Sequence, residues 1–538
     1  MFMRRRPAIT AACVLAAAIA SSAQRTTAPQ SDPITSAIDK LGAANLKSLR
    51  FIGFGANFSV GQSPSPREAW PRVTIKSYDA TIDYDTGSMR VEMVRTQGAV
   101  PPRGGGQPFT GEQRLIQFVS GDYAWNMPPP PPAGRQGGPP GAPPAAAAPP
   151  PQSTAPTPAA VPPQPQPQPG AAAERMLQIW ITPHGFLKAA TTHKATTRSV
   201  PGGTEVSFVV GDKYKLMGTI NAKNQVERVQ TWIESPVLGD MLVDTIYRDY
   251  ETMNGVTFPM HILQQQGGFR SLELWISSVT PNGAVEIATP EAVRSAALPP
   301  VRVEAQRIAD GVYYLTGGSH HSVAVEMRDH IVMIEAPLDE ARSLAVIAKI
   351  KETVPNKPIR FVVNTHSHFD HAGGLRTYAD EGATIVTHEM NRQYYQTAWA
   401  APRTLNPDRL AQSGKTATFQ TFTDRQSLTD GARTIEVLRI ASSPHHDGFA
   451  LVYLPTEKIL IEADAFTPAA EAALPASAAA APAGPPGPAG PPALSPTTVN
   501  LYENIRRLKL DVRQIAALHG PRLATMDDLA RAAGRGTN

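Results

Sequence analysis

The chain has 538 residues, a formal net charge of +4 at pH 7 and a single cysteine. This length is too great for one ordinary domain and predicts at least two. The excess of basic residues is small and forms no lysine and arginine stripe, so no nucleic-acid partner is expected.

The first 23 residues have the pattern of a secretory signal peptide. Three arginines at positions 4–6 precede an apolar stretch, 8–20, that is too short to cross a bilayer, and small residues at 21–23 suit cleavage. Cys13 lies within this segment, so the mature chain would contain no thiol and no disulfide. Removing three arginines and no acid would leave a charge of about +1. We therefore predict a periplasmic or secreted protein without a stable membrane span; an uncleaved anchor is the alternative.

Residues 24–298 are predicted to form a β-rich (α+β) N-terminal domain of unknown role. Segments 81–84 and 89–94 alternate in polarity around a turn at 85–88, which indicates a hairpin. Further strands are predicted at 206–210, 214–220 and 226–233, in a sheet curled around a helix near 34–46. An insertion of low complexity, rich in proline, alanine and glycine, interrupts this domain at 128–172.

Residues 299–538 are predicted to form a second, α/β domain. Apolar runs at 311–316, 322–326 and 331–335 indicate strands, and an amphipathic helix between Leu338 and Val354 leads to another strand at 359–363. A second low-complexity insertion occupies 468–496. Neither insertion has enough apolar surface to offset its ordering entropy, so both are expected to be disordered or partly polyproline-like. The second one is either a passive surface segment or a flap over the site.

Four potential metal ligands lie within six positions directly after the strand at 359–363. His366, His368, Asp370 and His371 are predicted to lie in a loop at the strand's end, where open α/β sheets usually carry their sites. Neutral imidazoles suit zinc and similar transition metals, and a carboxylate suits a harder ion. This spacing therefore predicts a metal centre.

The motif His-x-His-x-Asp-His after a strand resembles that of the metallo-β-lactamase fold superfamily, whose fold is a four-layer αββα arrangement. The resemblance implies three further ligands. His445 lies three positions before Gly448, which selects it over His446. Asp464 follows the strand-like run 459–463, and His519 follows 515–518.

The resemblance implies two zinc ions, with iron or manganese as possible substitutes, and a metal-bridged hydroxide that cleaves an ester, thioester, lactone or amide in a small-molecule substrate. Asp370 is accordingly predicted to be catalytic as well as a ligand. The alternatives are a phosphodiesterase of the same fold, a mononuclear iron oxygenase, or a non-catalytic metal-binding protein. The implied ligands form two sets of three with one shared carboxylate: His366, His368 and His445; Asp370, His371 and His519; and Asp464 between them.

Glu335 stands where the family usually has Asp and is predicted to change the hydrogen bonds around the ligands rather than metal binding itself. His320 and His321 follow a strand end, and the sequence does not decide between the mouth of the site and a simple polar turn. His388 is predicted to orient its neighbours rather than to bind metal.

Overall fold

The computed structural model describes residues 32–97, 103–105, 111–129, 163–470 and 494–536. The predicted signal peptide, 1–23, lies outside these ranges, as do most residues of both low-complexity insertions. The described end of the first insertion is ordered, contrary to the prediction, because Gln166–Pro167 pairs with a neighbouring strand and Pro169–Ala171 forms a 3₁₀ turn. Within the described residues, no helix is long and apolar enough to cross a bilayer.

The N-terminal region contains one antiparallel sheet of thirteen strands, in the order β6-β5-β4-β3-β2-β1-β13-β12-β11-β10-β9-β8-β7. It consists of two meanders joined through β1 and β13. The predicted hairpin around 85–88 is the connection between β2 and β3. The strands are β1 Ser48–Phe58, β2 Arg72–Asp83, β3 Ser88–Thr96, β4 Glu112–Ser120, β5 Tyr123–Met127, β6 Gln166–Pro167, β7 Thr196–Val200, β8 Gly203–Val210, β9 Tyr214–Asn221, β10 Val226–Ser235, β11 Gly239–Met253, β12 Val256–Gln266 and β13 Phe269–Pro281.

Three helices pack on one face of this sheet: α1 (Pro33–Leu41), α2 (Ala172–Trp180) and α3 (Pro183–Thr192). Asp32 begins α1 by accepting a hydrogen bond from the backbone of Thr35, and left-handed Gly42 ends it. The sequence predicted only α1. The apolar faces of all three enter one core with alternate residues of the strands. A short helix, α4 (Glu291–Arg294), follows the sheet.

His184 in α3 is fully buried, and its Nε2 donates to the carbonyl of Leu41 at 3.1 Å. Burial lowers the pKa of His184 from 6.5 to about 4. The unfolded chain therefore takes up a proton at a higher pH than the folded chain does. The free energy of unfolding should fall by about 3 kcal/mol as the pH drops from about 6.5 to 4.

Urea unfolding of the wild type and of His184→Gln across this pH range tests the prediction. The glutamine variant should lose that part of the pH dependence, while His193→Gln, at the exposed end of the same helix, should keep it. Parallel pH profiles for wild type and His184→Gln would contradict the assignment.

The C-terminal region has two sheets packed face to face. Seven strands form the first, in chain order, and five strands the second, also in chain order. The first comprises β14 Glu304–Ala309, β15 Val312–Thr316, β16 Ser322–Glu326, β17 Ile331–Ile334, β18 Ile359–Val363, β19 Thr384–His388 and β20 Thr418–Phe422. The second comprises β21 Arg425–Thr429, β22 Thr434–Arg439, β23 Ala450–Leu454, β24 Ile459–Glu462 and β25 Gln514–Ala517.

Helices cover both outer faces, which gives the predicted αββα layers. The side chains of β16 illustrate the layering, because Val323 and Val325 enter the core between the sheets whereas Ala324 faces the helices. The helices are α5 Glu340–Thr353, α6 Phe369–Ala372, α7 Leu375–Glu381, α8 Glu389–Trp399, α9 Arg409–Ser413, α10 Pro496–Leu508 and α11 Met526–Ala532. Those from α5 to α8 contribute to the core on one side, and α10 and α11 to the core on the other.

The two regions are joined by polar contacts at the β10–β11 turn. Arg403 is buried, and its guanidinium donates to the backbone carbonyls of Ser235, Pro236 and Val237. In return, Asp240 accepts hydrogen bonds from the Thr404 backbone and hydroxyl. Because charge-assisted bonds to buried backbone groups are costly to break, these contacts hold the regions in one arrangement.

Candidate metal centre

The metal-ligand motif lies at the carboxyl end of β18, where the chain turns into α6. His366 and His368 lie in the loop, as predicted. Asp370 and His371 instead lie in the one-turn helix α6, so the prediction of a loop throughout was wrong. The turn forms because the carbonyl of His368 accepts from the backbone N–H groups of both His371 and Ala372.

One cluster contains His366, His368, His445 and Asp464, whose ligand atoms all lie within 4.8 Å of one another. The Nε2 atoms of His366 and His445 are 3.1 Å apart. The three imidazoles are buried, with side-chain exposures of 0–1%. The structure therefore brings together the three histidines that the resemblance assigned to one ion.

A second cluster contains Asp370, His371, His519 and also His320. The Nε2 atoms of His371 and His519 are 3.0 Å apart, and His320 Nε2 lies 3.3 Å from Asp370 Oδ2. His320 reaches this position because its backbone forms a β-bridge with His519. The sequence left the role of His320 open, and the structure places it among the candidate ligands.

Asp464 lies between the clusters and turns one oxygen to each. Its Oδ2 lies 3.3 Å from His366 Nε2 and 2.9 Å from His445 Nε2. Its Oδ1 lies 3.1 Å from His371 Nε2 and 2.7 Å from His519 Nε2. A carboxylate whose two oxygens face different clusters can bind one cation through each oxygen.

Electrostatics favour an ionised carboxylate surrounded by imidazoles. Burial opposes the charge of Asp464, but His371 and His445 outweigh it and hold the pKa of Asp464 well below its usual range. Burial lowers the pKa of His366 strongly and that of His368 to about 3. Burial would also lower the pKa of His371, but the carboxylates of Asp464 and Asp370 raise it well above the ordinary value.

Hydrogen bonds outside the clusters fix which ring nitrogen faces inward. His371 Nδ1 donates to Glu335 Oε2 at 3.1 Å, and His366 Nδ1 donates to Thr365 Oγ1 at 2.9 Å, so each Nε2 is left for the cluster. Glu335 thus orients a candidate ligand, and its own carboxylate also groups with His366 and His371 as a possible metal ligand. Glu462, which the sequence did not single out, accepts from the backbone of Ala465 and Phe466 and so shapes the turn around Asp464.

His446, His388 and His321 belong to neither cluster. His446 is buried, donates from Nε2 to Ser367 Oγ and accepts at Nδ1 from the backbone of Gly448. His388 accepts from the backbone of Met390 and begins α8. His321 Nε2 donates to the carbonyl of Gly520, which positions the residue next to His519.

Among the described residues, the second cluster is more open to solvent than the first. The side chains of Asp370 and His519 are 31% and 22% exposed, whereas the histidines of the first cluster are enclosed. A small molecule can therefore approach the second cluster and the adjacent oxygen of Asp464.

Two further observations indicate that these residues fit a metal ion. His368 Nδ1 is buried, faces the first cluster and has no hydrogen-bond partner among the described residues. A buried nitrogen without a partner is costly unless a cation or water occupies its lone pair. In addition, a tetrahedral zinc ion with Zn–N bonds of about 2.0–2.1 Å requires ligand nitrogens about 3.3 Å apart. The ring nitrogens of His366 and His445, 3.1 Å apart, are close to that spacing.

The sequence model of the metallo-beta-lactamase superfamily matches residues 315–516. The C-terminal domain that contains this segment belongs to the metallo-beta-lactamase superfamily. The match contains every candidate ligand except His519, three positions beyond its end, and the layered fold described above is the fold of that superfamily.

Among solved structures, the metallo-beta-lactamase domain is similar to a metallo-beta-lactamase from Pontibacter korlensis, at 20% identity and a TM-score of 0.30. That similarity covers 43% of this chain and 98% of the other. It is also similar to the metallo-beta-lactamase FIM-1 from Pseudomonas aeruginosa in its mono-zinc form, at 20% identity and a TM-score of 0.32, over 44% of this chain and 96% of that one.

A characterised relative is the 2,4-dinitroanisole O-demethylase subunit alpha of Nocardioides sp. (strain JS1661). The two sequences are 24% identical over 170 residues, which are 31% of this chain and 44% of the relative. This chain therefore spans less than half of that relative's length.

Proposed function

We propose that the protein is a hydrolase that binds two zinc ions and cleaves an ester, thioester, lactone or amide bond in a small molecule. The division of the Asp464 oxygens between two histidine clusters is the observation that carries this proposal. A carboxylate shared in this way is suited to hold two dications close together despite their mutual repulsion. The chain then provides two sites whose ions would share one carboxylate.

In this proposal, His366, His368 and His445 hold one ion, and Asp370, His371 and His519 hold the other. The bound ions would supply Lewis acidity and would lower the pKa of a coordinated water molecule towards about 7. Glu335 and Thr365 fix the tautomers of His371 and His366, so those ligands are preorganised.

The open side of the centre would receive the scissile group. His320 lies there, with its Nδ1 hydrogen-bonded to Ser319 Oγ and its Nε2 directed at Asp370. Burial lowers the pKa of His320, so the imidazole is largely neutral at pH 7 and can bind a cation or accept a proton. We assign it as an additional ligand of the second ion, in competition with the substrate.

Metal analysis of protein purified without added metal is the first test. About two zinc ions per chain are expected, while one iron per chain would favour the oxygenase alternative. Hydrolysis of ester, thioester, lactone, β-lactam and phosphodiester reporters then identifies the bond type. 2,4-Dinitroanisole belongs in the panel because the relative's name specifies its O-demethylation. A metal-loaded protein inactive on the whole panel would overturn the hydrolase proposal.

We also propose that the enzyme acts outside the cytoplasm, on the basis of the residue pattern at 1–23. Fractionation of cells that express the full chain, with N-terminal sequencing of the product, tests this. A product beginning near Gln24 in the periplasm or medium supports export. A full-length cytoplasmic product contradicts it.

A further inference from the structure

A loop of the N-terminal region reaches into the metal centre. Residues 59–71, which connect β1 to β2 and are here called the bridging loop, lie against the metal-ligand motif. The carbonyl of Gly61 accepts from the backbone N–H of Phe369 at 3.2 Å, and that of Pro64 accepts from the backbone N–H of Asp447 at 2.8 Å. The bridging loop thus contacts both segments that carry the histidines of the first cluster.

One contact fixes a ligand's tautomer. His368 Nε2 lies 2.8 Å from the carbonyl oxygen of Ser63. Because a carbonyl can only accept, Nε2 must carry the proton, and Nδ1 is left with its lone pair directed at the first cluster. That Nδ1 is the buried nitrogen without a hydrogen-bond partner in the described structure.

A second contact reaches the other cluster. Gln62 Nε2 donates to Asp370 Oδ1 at 2.7 Å, so that Oδ2 is the oxygen turned towards His320 and His371. The backbone of Gln62 is itself held, since its N–H donates to Ser59 and its carbonyl accepts from Gly105.

The bridging loop is anchored to the C-terminal domain by packing as well as by polar contacts. Phe369 contacts the cores of both regions, and its ring lies edge-on to Trp70 at 6.2 Å. Nearby, Arg103 forms an ion pair with Asp447, and the backbone of Gly104 donates to the carbonyl of Pro444. These contacts hold the loop beside the ligands.

We propose that the bridging loop is a structural part of the metal centre: the Ser63 carbonyl and the Gln62 amide position one ligand of each cluster, His368 and Asp370. This inference rests on the proposed metal binding, and it gives the N-terminal region a role in that site. The Ser63 carbonyl and the Gln62 amide are positioning groups, because they act through the ligands. If the loop only packed against the domain, displacing it would change stability but not metal affinity.

At Gly61, a single added atom would disturb the contact between the bridging loop and the metal-ligand motif. Its φ is +74°, and a Cβ at this position would lie 2.3 Å from Cγ of Phe369. Gly111, before β4, provides a matched control, because its φ is +73° and a Cβ there meets no described atom within 4 Å. Alanine carries the same backbone strain at both positions, so only Gly61→Ala adds the clash.

The experiment measures zinc affinity in metal-depleted full-length protein by competition with a chromophoric chelator. Gly61→Ala should weaken zinc binding about 10- to 100-fold, the usual effect of losing a group that orients a ligand, while Gly111→Ala should match the wild type. Thermal unfolding of metal-free Gly61→Ala and Gly111→Ala measures the stability that each variant loses through backbone strain. Equal zinc affinity in folded Gly61→Ala and wild type would overturn the proposal.

Gln62→Ala keeps the inference testable if Gly61→Ala does not fold. Its partner Asp370 lies in the second cluster only, so one of the two zinc-binding steps should lose about 10-fold in affinity while the other is unchanged. Unchanged affinity in both steps would overturn the assignment of Gln62. A wild-type protein that binds no metal would instead overturn the proposed function itself, so the two failures are distinguishable.

Discussion

Asp464→Asn should reduce turnover by roughly 10²- to 10⁴-fold, because the removed charge serves both clusters. Asparagine keeps the shape of the side chain, and the buried β24 supplies the packing around it. Stability at saturating zinc should therefore change little. Zinc content should fall from two ions to about one, since the remaining amide cannot offset the repulsion between two dications. Zinc analysis and initial rates on the substrate found by the reporter panel provide the measurement.

Glu462→Gln is a matched control for this variant. Glu462 is buried two positions earlier, and burial raises its pKa well above the ordinary value. Its Oε2 accepts from the backbone N–H groups of Ala465 and Phe466, and the amide oxygen of glutamine can accept the same two bonds. This variant should keep both metals and most activity. Full activity with two bound metals in Asp464→Asn would exclude the bridging role of Asp464 and favour a mononuclear mechanism.

His445→Ala should lower the metal content, whereas His446→Ala should lower the stability of the fold and leave the metal content nearly unchanged. His445 Nε2 lies within the first cluster, so its removal should deplete the metal there and lower activity at least about 100-fold. His446 is bonded to Ser367 and Gly448 instead. Its removal leaves two buried polar groups without partners and should cost about 2–3 kcal/mol of stability with little loss of metal. Metal analysis and urea unfolding of both variants test this.

Loss of metal from His446→Ala, with metal retained in His445→Ala, would move the ligand by one position. The two variants control each other, because each removes an imidazole from the same turn and only one of the imidazoles faces the cluster.

Local pattern predicted the strands of the C-terminal domain and the four candidate ligands at 366–371, whereas the resemblance to the superfamily supplied the layered fold and the three candidate ligands further along the chain. The apolar run 359–363 predicts a buried strand. Residues that directly follow such a strand lie at the edge of the sheet, where open α/β folds usually carry their sites. The superfamily's usual His-x-x-Gly spacing, matched by His445 and Gly448, favoured His445 over His446, and the structure places His445 in the first cluster. Such predictions depend on residues that are close in sequence.

The rest depends on contacts between distant segments, which a single sequence does not record. His320 joins the second cluster through a bridge to His519, and Gln62 reaches Asp370 from 308 residues away. Neither residue belongs to a motif of its own. The helices α2 and α3 were missed as well, and both bury residues in a core that they share with distant strands.

The order of strands in the large sheet has a consequence for biosynthesis. Each meander can begin to form from neighbouring hairpins, but the junction of β1 with β13 joins residues far apart, as in the hydrogen bond from Lys47 to Asn282, 235 residues later. During synthesis from the N-terminus, β1 must therefore wait with one edge unpaired until β13 has left the ribosome. We expect this delay to make the nascent chain depend on chaperones at that stage, and ribosome-bound chains stalled before and after β13 should differ sharply in protease resistance.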